Sequence, residues 1–247
     1  MKVISLNIWG GRMMEPLVSF LKKNSDVDVF CFQEVYHEAH GKDTLWTDGS
    51  DFNTLNQLKD ALSGYTCFYR PHLADWWGLA IFVKKGTDII EEGEFYVHKF
   101  KGHNMEMEVR GYTAKNLHYV KVRENGRSIT LINFHGLWNG QGKNDTEDRL
   151  NQSKKTVEFI SSLKEEIIFC GDFNLTPETK SLQMIEKELG LRNLIQEHGI
   201  TSTRTSKYTK PCRFADYMFV SPNVEVIDFK VLPDEVSDHS SLYIEFK

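Results

Sequence analysis

The stretch Ile167-Ile168-Phe169-Cys170-Gly171-Asp172-Phe173-Asn174-Leu175-Thr176-Pro177 carries the reading of the fold. Its four opening apolar residues read as a strand buried on both faces. Gly171 lets the chain turn sharply off that strand, and Pro177 stops it from continuing. Between them, Asp172 and Asn174 stand at alternate positions, so both side chains can face the same side. A carboxylate beside an amide suits the orientation of a water, one accepting its proton while the other fixes its lone pair. The same residues equally suit an Asx-turn, and the segment alone does not choose.

Working outward, Thr146 to Leu163 reads as the best helix of the chain, with Leu150, Val157, Ile160 and Leu163 on one stripe. Before it, His118 to Val122 and Ser128 to Phe134 read as strands joined through Asn125-Gly126, a strong hairpin signal. Further strands are expected at Val3 to Leu6, Val27 to Phe32, Tyr65 to Tyr69, Leu79 to Val83 and Ile89 to Val97. Helices are expected at Glu15 to Lys23, Asp51 to Leu62 and Lys180 to Glu188. The chain closes with strands at Tyr217 to Val220, Val224 to Leu232 and Ser241 to Phe246. Many strands and few helices, split between two halves, argue against a doubly wound parallel sheet. The expected class is α/β (α+β), a four-layer sandwich of two packed mixed β-sheets flanked by helices. No repeat or Pro/Gly/Ser-rich linker divides the sequence, so residues 1–247 are expected to form one domain.

The composition, 40% hydrophobic and 26% charged, is that of a globular chain with no apolar run long enough to span a bilayer. No secretory segment is visible, and a cytoplasmic, monomeric protein is the expectation. Cys31, Cys67, Cys170 and Cys212 form no Cys-x-x-Cys pair and are read as reduced structural residues. A formal charge of -5 offers no broad attraction for a nucleic-acid backbone.

Other polar residues share the placement of Asp172 at strand ends, where a rigid scaffold holds functional groups. Asn7 ends the first strand and Glu34 the second, where a charge is costly unless solvated, paired or metal-bound. Asp216 enters an apolar strand and needs a donor. His239, in Ser237-Asp238-His239-Ser240, is the candidate, since a carboxylate fixes an imidazole's tautomer and stabilises its cation. His135 ends the strand Ile132-Asn133-Phe134. Singly, each of these also reads as an ordinary structural residue.

As an ordered set they resemble the endonuclease/exonuclease/phosphatase superfamily. The matching residues are Asn7, Gln33-Glu34, Asn133-x-His135, Gly171-Asp172-Phe173-Asn174, Asp216-Tyr217 and Ser237-Asp238-His239, with Gly78 to Phe82 as a further strand. They follow the family's order and span nearly the whole chain. The resemblance implies a metal-dependent hydrolase that attacks a phosphodiester or phosphomonoester with activated water. It implies Mg²⁺, with Mn²⁺ as an alternative, held by Glu34 and Asn7, with Asp238 as a second ligand or a structural neighbour. It implies that Asp172 and Asn174 position and deprotonate the water, that His239 supported by Asp216 contacts a phosphate oxygen, and that His135 touches the phosphate or assists the leaving group. A charge argument points the same way. Each carboxylate pair brought to ~4 Å repels by about 4 kcal/mol at an effective dielectric of ~20, and a divalent ion would relieve this.

The substrate is less legible. It is expected to be a phosphate ester: a small molecule, a lipid headgroup or a nucleic-acid end. Arg110, Arg149 and Arg204 are candidate substrate-binding residues; Arg149 also suits a solvated helix start, and Arg204 lies in a basic loop, residues 203–210, that also suits a surface turn. Trp76, Trp77 and Trp138 suit either stacking on substrate or loop packing. His135-Gly136-Leu137 departs from the family's more usual leucine after the histidine, which leaves the subfamily open. A nuclease, or a binding protein that keeps the fold without catalysis, are the alternatives.

Overall fold

A computed structural model describes residues 1–40, 49–103 and 113–247. In chain order its first half comprises β1 (Lys2–Asn7), a 3-10 turn (Trp9–Gly11), α1 (Met14–Lys23), β2 (Val29–Tyr36), α2 (Thr54–Ala61), β3 (Tyr65–Leu73) and β4 (Trp77–Lys84). Next come β5 (Asp88–His98), β6 (Lys115–Glu124), β7 (Arg127–His135), α3 (Glu147–Ser161), β8 (Glu166–Asp172) and α4 (Lys180–Leu189). The chain ends with β9 (Arg192–Asn193), α5 (Leu194–Glu197), β10 (Asp216–Val220), β11 (Val226–Val231) and β12 (Leu242–Phe246).

The strands form two six-stranded mixed sheets, in the orders β11-β12-β1-β2-β4-β3 and β5-β6-β7-β8-β10-β9. Each sheet is antiparallel except for one central parallel pair, β1 with β2 and β7 with β8. A parallel pair needs a crossover, supplied here by α1 and α3. Register then sets Asn7 beside Gln33 and His135 beside Asp172, so the parallel pairs deliver their polar ends together.

Val3, Val29, Cys31 and Ile81 of the first sheet pack against Leu117, Leu131, Ile168 and Cys170 of the second. The outer face of the first sheet carries Ile4, Leu6, Phe30 and Phe32 against Leu17 and Phe20 of α1 and Leu55 and Leu58 of α2. α3 and α4 flank the second sheet, with Phe159 stacked on Phe95 of β5 at 4.6 Å. Strands covered on both faces account for the unbroken apolar runs, and the expected sandwich is what the chain forms. All four cysteines are free thiols. Among the described residues no helix is long and apolar enough to cross a membrane.

Some elements differ from expectation. α2 begins at Thr54 instead of Asp51, whose carboxylate accepts Asn53 N–H at 2.8 Å and so turns the chain ahead of the helix. α3 is rotated: Leu150 and Leu163 are only half-buried, while Arg149, Gln152, Ser153 and Thr156 face inward beside Val157 and Ile160. The short β9 and α5 lack a periodic signal and were not expected.

A polar bridge joins the sheets at one side. Arg70 Nε of β3 donates to Glu92 Oε1 of β5 at 2.7 Å, and His118 Nε2 lies 3.0 Å from the same oxygen. Burial pushes the Glu92 carboxyl up, but the His118 and Arg70 contacts outweigh it and hold the group at about 2. A carboxyl depressed from its ordinary 4.5 stabilises the fold above that pH, and the contribution is lost as pH falls toward 2. Glu92→Gln is therefore expected to cost about 1–2 kcal/mol at pH 7, the rim of the bridge being water-screened. Urea unfolding between pH 7 and pH 3 should show this difference shrinking with acidification; a difference constant with pH would exclude the linkage.

Candidate active site

Glu34 owes its direction to a β-bulge. In the β2–β4 pairing, three steps from Phe32 to Val35 oppose two from Ala80 to Gly78. The extra residue puts Glu34 at φ 60, a strained left-handed conformation for a side-chain-bearing residue, and re-aims its carboxylate. Gly78 lies across the bulge where a Cβ would stand 2.4 Å from Arg70 O, so no side chain fits. Asn7 Nδ2 donates to Glu34 Oε1 and to Asp172 Oδ2, both at 3.0 Å, and Asn7 Oδ1 accepts Trp9 N–H at 2.9 Å. One amide thus ties the carboxylate of the first sheet to that of the second.

Asp172 leaves β8 after Gly171, whose φ of +143 and close approach to Phe134 O, 2.0 Å from a hypothetical Cβ, admit only glycine. Phe173 turns into the core among Phe134, Phe169 and Phe219, leaving Asp172 and Asn174 on the opposite side. Asp172 Oδ1 accepts Asn174 N–H at 2.9 Å, which is the Asx-turn. Its other oxygen serves the site: Asp172 Oδ2 lies 3.7 Å from His135 Nε2 and 3.6 Å from His239 Nε2. One oxygen of Asp172 thus closes the turn while the other faces both imidazoles.

His239 Nδ1 sits 2.8 and 2.9 Å from the two Asp216 oxygens. Thr203 Oγ1 accepts the N–H groups of Ala215 and Asp216, and Ser237 Oγ accepts His239 N–H while donating to Asn7 O at 2.7 Å. Burial lowers His239 to about 3 and raises Asp216 to about 6. With both Asp216 oxygens at hydrogen-bond distance, Nδ1 is the nitrogen placed to donate, and Nε2 faces Asp172. Asp238 is fixed on one side by Arg204 Nη1 at 3.1 Å, while its Oδ1 is buried without a hydrogen-bond partner.

Glu34, His135, Asp172, Asn174, Asp238 and His239 line one cleft of about 290 Å³, with Asn7 and Asp216 behind its wall. Two sets of donors each lie within 4.8 Å of one another: Glu34, His135 and Asp172, and Asp172, Asp216 and His239. Burial raises Glu34 to about 7, with Asp238 and Asp172 adding to the rise and the Asn7 amide opposing it. A carboxyl pushed toward protonation by burial and by neighbouring carboxylates is the environment a divalent cation relieves. Mixed carboxylate and imidazole donors of this kind could hold a divalent ion.

Arg204, in the loop that suited either a phosphate grip or a surface turn, lines the cleft and stacks on Tyr208, 4.1 Å from the ring centroid. Trp77 and Trp138 also line it, whereas Trp76 stacks on Tyr36 and Lys207 turns toward Glu235. Arg110 lies outside the described residues. Arg149, read either as a substrate-binding candidate or as a solvated helix start, fits neither placement: it is fully buried and absent from the cleft wall. Its guanidinium donates to Leu137 O at 3.2 Å, Asn144 O at 2.5 Å and Gly142 O at 2.7 Å, clamping the loop that presents Trp138 and Lys143. Sequence reasoning missed Arg12, Lys115, Lys143 and Tyr36 on the cleft wall, while Tyr208 and Lys210 come from the basic loop it singled out. For Lys115 and Lys143 the detectable signal was a lysine beside polar strand-end motifs, too common to single out. Burial lowers both, Lys115 to about 8.

The family model for the endonuclease/exonuclease/phosphatase family matches residues 4–239. The chain belongs to this family. Among solved structures, the mannosyl-6-phosphatase of Bacteroides thetaiotaomicron superposes with a TM-score of 0.78 at 18% identity, covering 100% of this chain and 99% of that one. D. rerio TDP2 complexed with single strand DNA product gives 0.73 at 20% identity, over 100% and 98%. The human Nocturnin catalytic domain with bound sulfate gives 0.68 at 18%, over 100% and 94%. At these identities the likeness is one of fold. No curated protein matches the sequence significantly.

Replacing Arg149 by Met would leave three carbonyls without their donor. The expected cost is about 3 kcal/mol or more, a fall of roughly 6–12 °C in thermal midpoint. An unchanged midpoint in calorimetry would mean the loop is held by other contacts.

Proposed function

We propose that this family member is a metal-dependent phosphoesterase hydrolysing a phosphodiester or phosphomonoester by in-line attack of an activated water. One observation carries the reading: Asp172 Oδ2 lies between the Asn7 amide, His135 Nε2 and His239 Nε2, beside Glu34. A general base, a carboxylate for a cation and imidazoles for the phosphate thus share one cleft.

Glu34 and Asp238, with Asn7 beside them, would hold Mg²⁺ or Mn²⁺, which when bound supplies Lewis-acid neutralisation of phosphoryl oxygens. Asp172 accepts the proton of the attacking water, and its fixed Oδ1 keeps Oδ2 aimed. Asn174 orients that water from the same turn. His239 meets a non-bridging oxygen through Nε2, becoming a cation as charge builds there, while Asp216 stabilises that form through Nδ1. His135 contacts the phosphate or its leaving group, and Arg204 binds substrate from the Tyr208 side.

The cleft is compact and walled by Trp9, Trp77 and Trp138, which favours a small phosphate ester or a single chain end over a long duplex. The net charge of -5 agrees with this. The fold-level neighbours span that range, from a sugar phosphatase to a structure holding single strand DNA. A nuclease therefore stands as the second reading, separable by salt: contacts to many phosphates make affinity fall steeply, a small substrate does not.

Glu34→Ala, Asp172→Ala and His239→Ala are each expected to lower turnover at least 100-fold with the fold retained. A panel of aryl phosphodiesters and monoesters with Mg²⁺, Mn²⁺ or EDTA, beside circular dichroism, tests this. Near-wild-type turnover in any variant would remove that residue from the mechanism. Loss of every activity together with no calorimetric Mg²⁺ binding by the wild type would favour the binding-protein reading.

A further inference from the structure

Lys115 opens β6 and is 1% exposed, yet it forms part of the cleft wall. Taking an ammonium out of water is costly unless something replaces the lost hydrogen bonds. The other buried cations of the cleft have found that replacement within the chain. Lys143 Nζ donates to Phe214 O at 2.9 Å, and Arg204 Nη1 is bound to Asp238. Among the described residues Lys115 Nζ makes no hydrogen bond or ion pair. Its contact is the face of Trp77, 4.9 Å from the ring centroid, a cation–π interaction that leaves all three N–H donors unspent. Trp77 in turn packs edge-on against His135 at 5.5 Å, which fixes the lysine's platform relative to the catalytic imidazole.

A buried ammonium with unspent donors, stacked on a fixed ring beside the reactive groups, is built to receive an anion. Resting on the phosphoesterase reading, we infer that Lys115 is a substrate-binding residue whose ammonium hydrogen-bonds a phosphoryl oxygen of the bound ester. It approaches from the wall made by β6 and Trp77, whereas Lys143 and Arg204 come from the loops after β7 and before β10. The competing role is a purely structural counter-charge to Glu34 and Asp172. The two differ in what happens to phosphate when the charge is removed.

The test uses the full chain, with Lys115→Met and Lys115→Arg beside wild type. Mg²⁺ alone and inorganic phosphate at saturating Mg²⁺ are titrated by calorimetry, and KM and kcat are measured on the preferred ester. In Lys115→Met, Mg²⁺ should bind as tightly as in wild type or several-fold tighter, since a nearby positive charge is gone. Phosphate affinity should fall at least tenfold with a matching rise in KM, and Lys115→Arg should restore part of both. Phosphate affinity and KM within twofold of wild type in Lys115→Met would overturn the assignment. Should Lys115→Met fail to fold, a crystal structure of the wild type with Mg²⁺ and phosphate decides. A phosphate oxygen within about 3.2 Å of Lys115 Nζ supports the assignment, and its absence from that position overturns it. Absence of Mg²⁺ binding by the wild type would instead sink the parent reading, so the two failures are distinguishable.

Discussion

Gln33 and Asn133 meet in the layer between the two sheets, both fully buried. Asn133 Nδ2, from β7, donates to Phe32 O and Ala80 O of the opposite sheet at 2.9 and 3.1 Å. Gln33 Nε2, from β2, donates back to Asn133 Oδ1 at 2.7 Å. Apolar contacts between sheets are non-directional and tolerate small slides, whereas a hydrogen bond in a low-dielectric interior has one geometry and is costly to break. This amide clasp therefore fixes how one sheet sits on the other. The site depends on that fix, because Asn7 and Glu34 come from the first sheet and His135, Asp172 and Asp216 from the second. A shift of an ångström would part Asn7 from Asp172 and dissolve the constellation without disturbing either sheet.

Strain and charge concentrate just beyond the clasp. Trp9, Glu34 and Asn174 all adopt positive φ, and all three line the cleft. Conformations of this kind persist only where surrounding structure over-determines them. Here the surroundings are the fully buried Phe32 and Val35 on either side of the bulge and Phe173 within the Asx-turn. Burying each such side chain contributes about 1.5–3 kcal/mol, enough to offset the local cost of the left-handed residues between them. The apolar neighbours thus act on the chemistry by holding Glu34 and Asp172 where mutual repulsion would otherwise drive them apart.

The layers were legible because strands covered on both faces must be continuously apolar, as Val27 to Phe32 and Ile167 to Cys170 are. The polar residues at the ends of such runs were ambiguous singly, Glu34 as a solvated strand end and Asp172 as an Asx-turn, and read as a candidate site only through their ordered resemblance to the family. Arg149 shows where the logic fails. Periodicity put Leu150 and Leu163 on the buried stripe of α3, but loop 137–144 needed partners, and the helix turned Arg149 inward to donate to its carbonyls and Gln152 inward to accept the Leu137 N–H. That need is set by a loop conformation no local pattern encodes. Lys115 was hidden likewise, since a lysine at a strand start reads as solvated until the opposing Trp77 is seen to cover it.

Sheets and loops divide the labour of building the cleft. Asn7, Glu34, His135 and Asp172 are fixed by backbone ladders and the amide clasp, so their geometry is insulated from change at the rim. Arg204, Tyr208, Lys210, Trp138 and Lys143 stand instead on two loops, secured by a few contacts such as the Arg149 clamp and the Thr203 hydroxyl. Those contacts are mostly to backbone carbonyls and N–H groups, so they fix the loop path and leave the outward side chains free to vary. Lys115 belongs to neither set: it is strand-borne like the acidic groups, yet cationic like the rim. Its position on β6 ties a cation to the strand-borne part of the cleft wall, while the aromatic and basic loops form the rest.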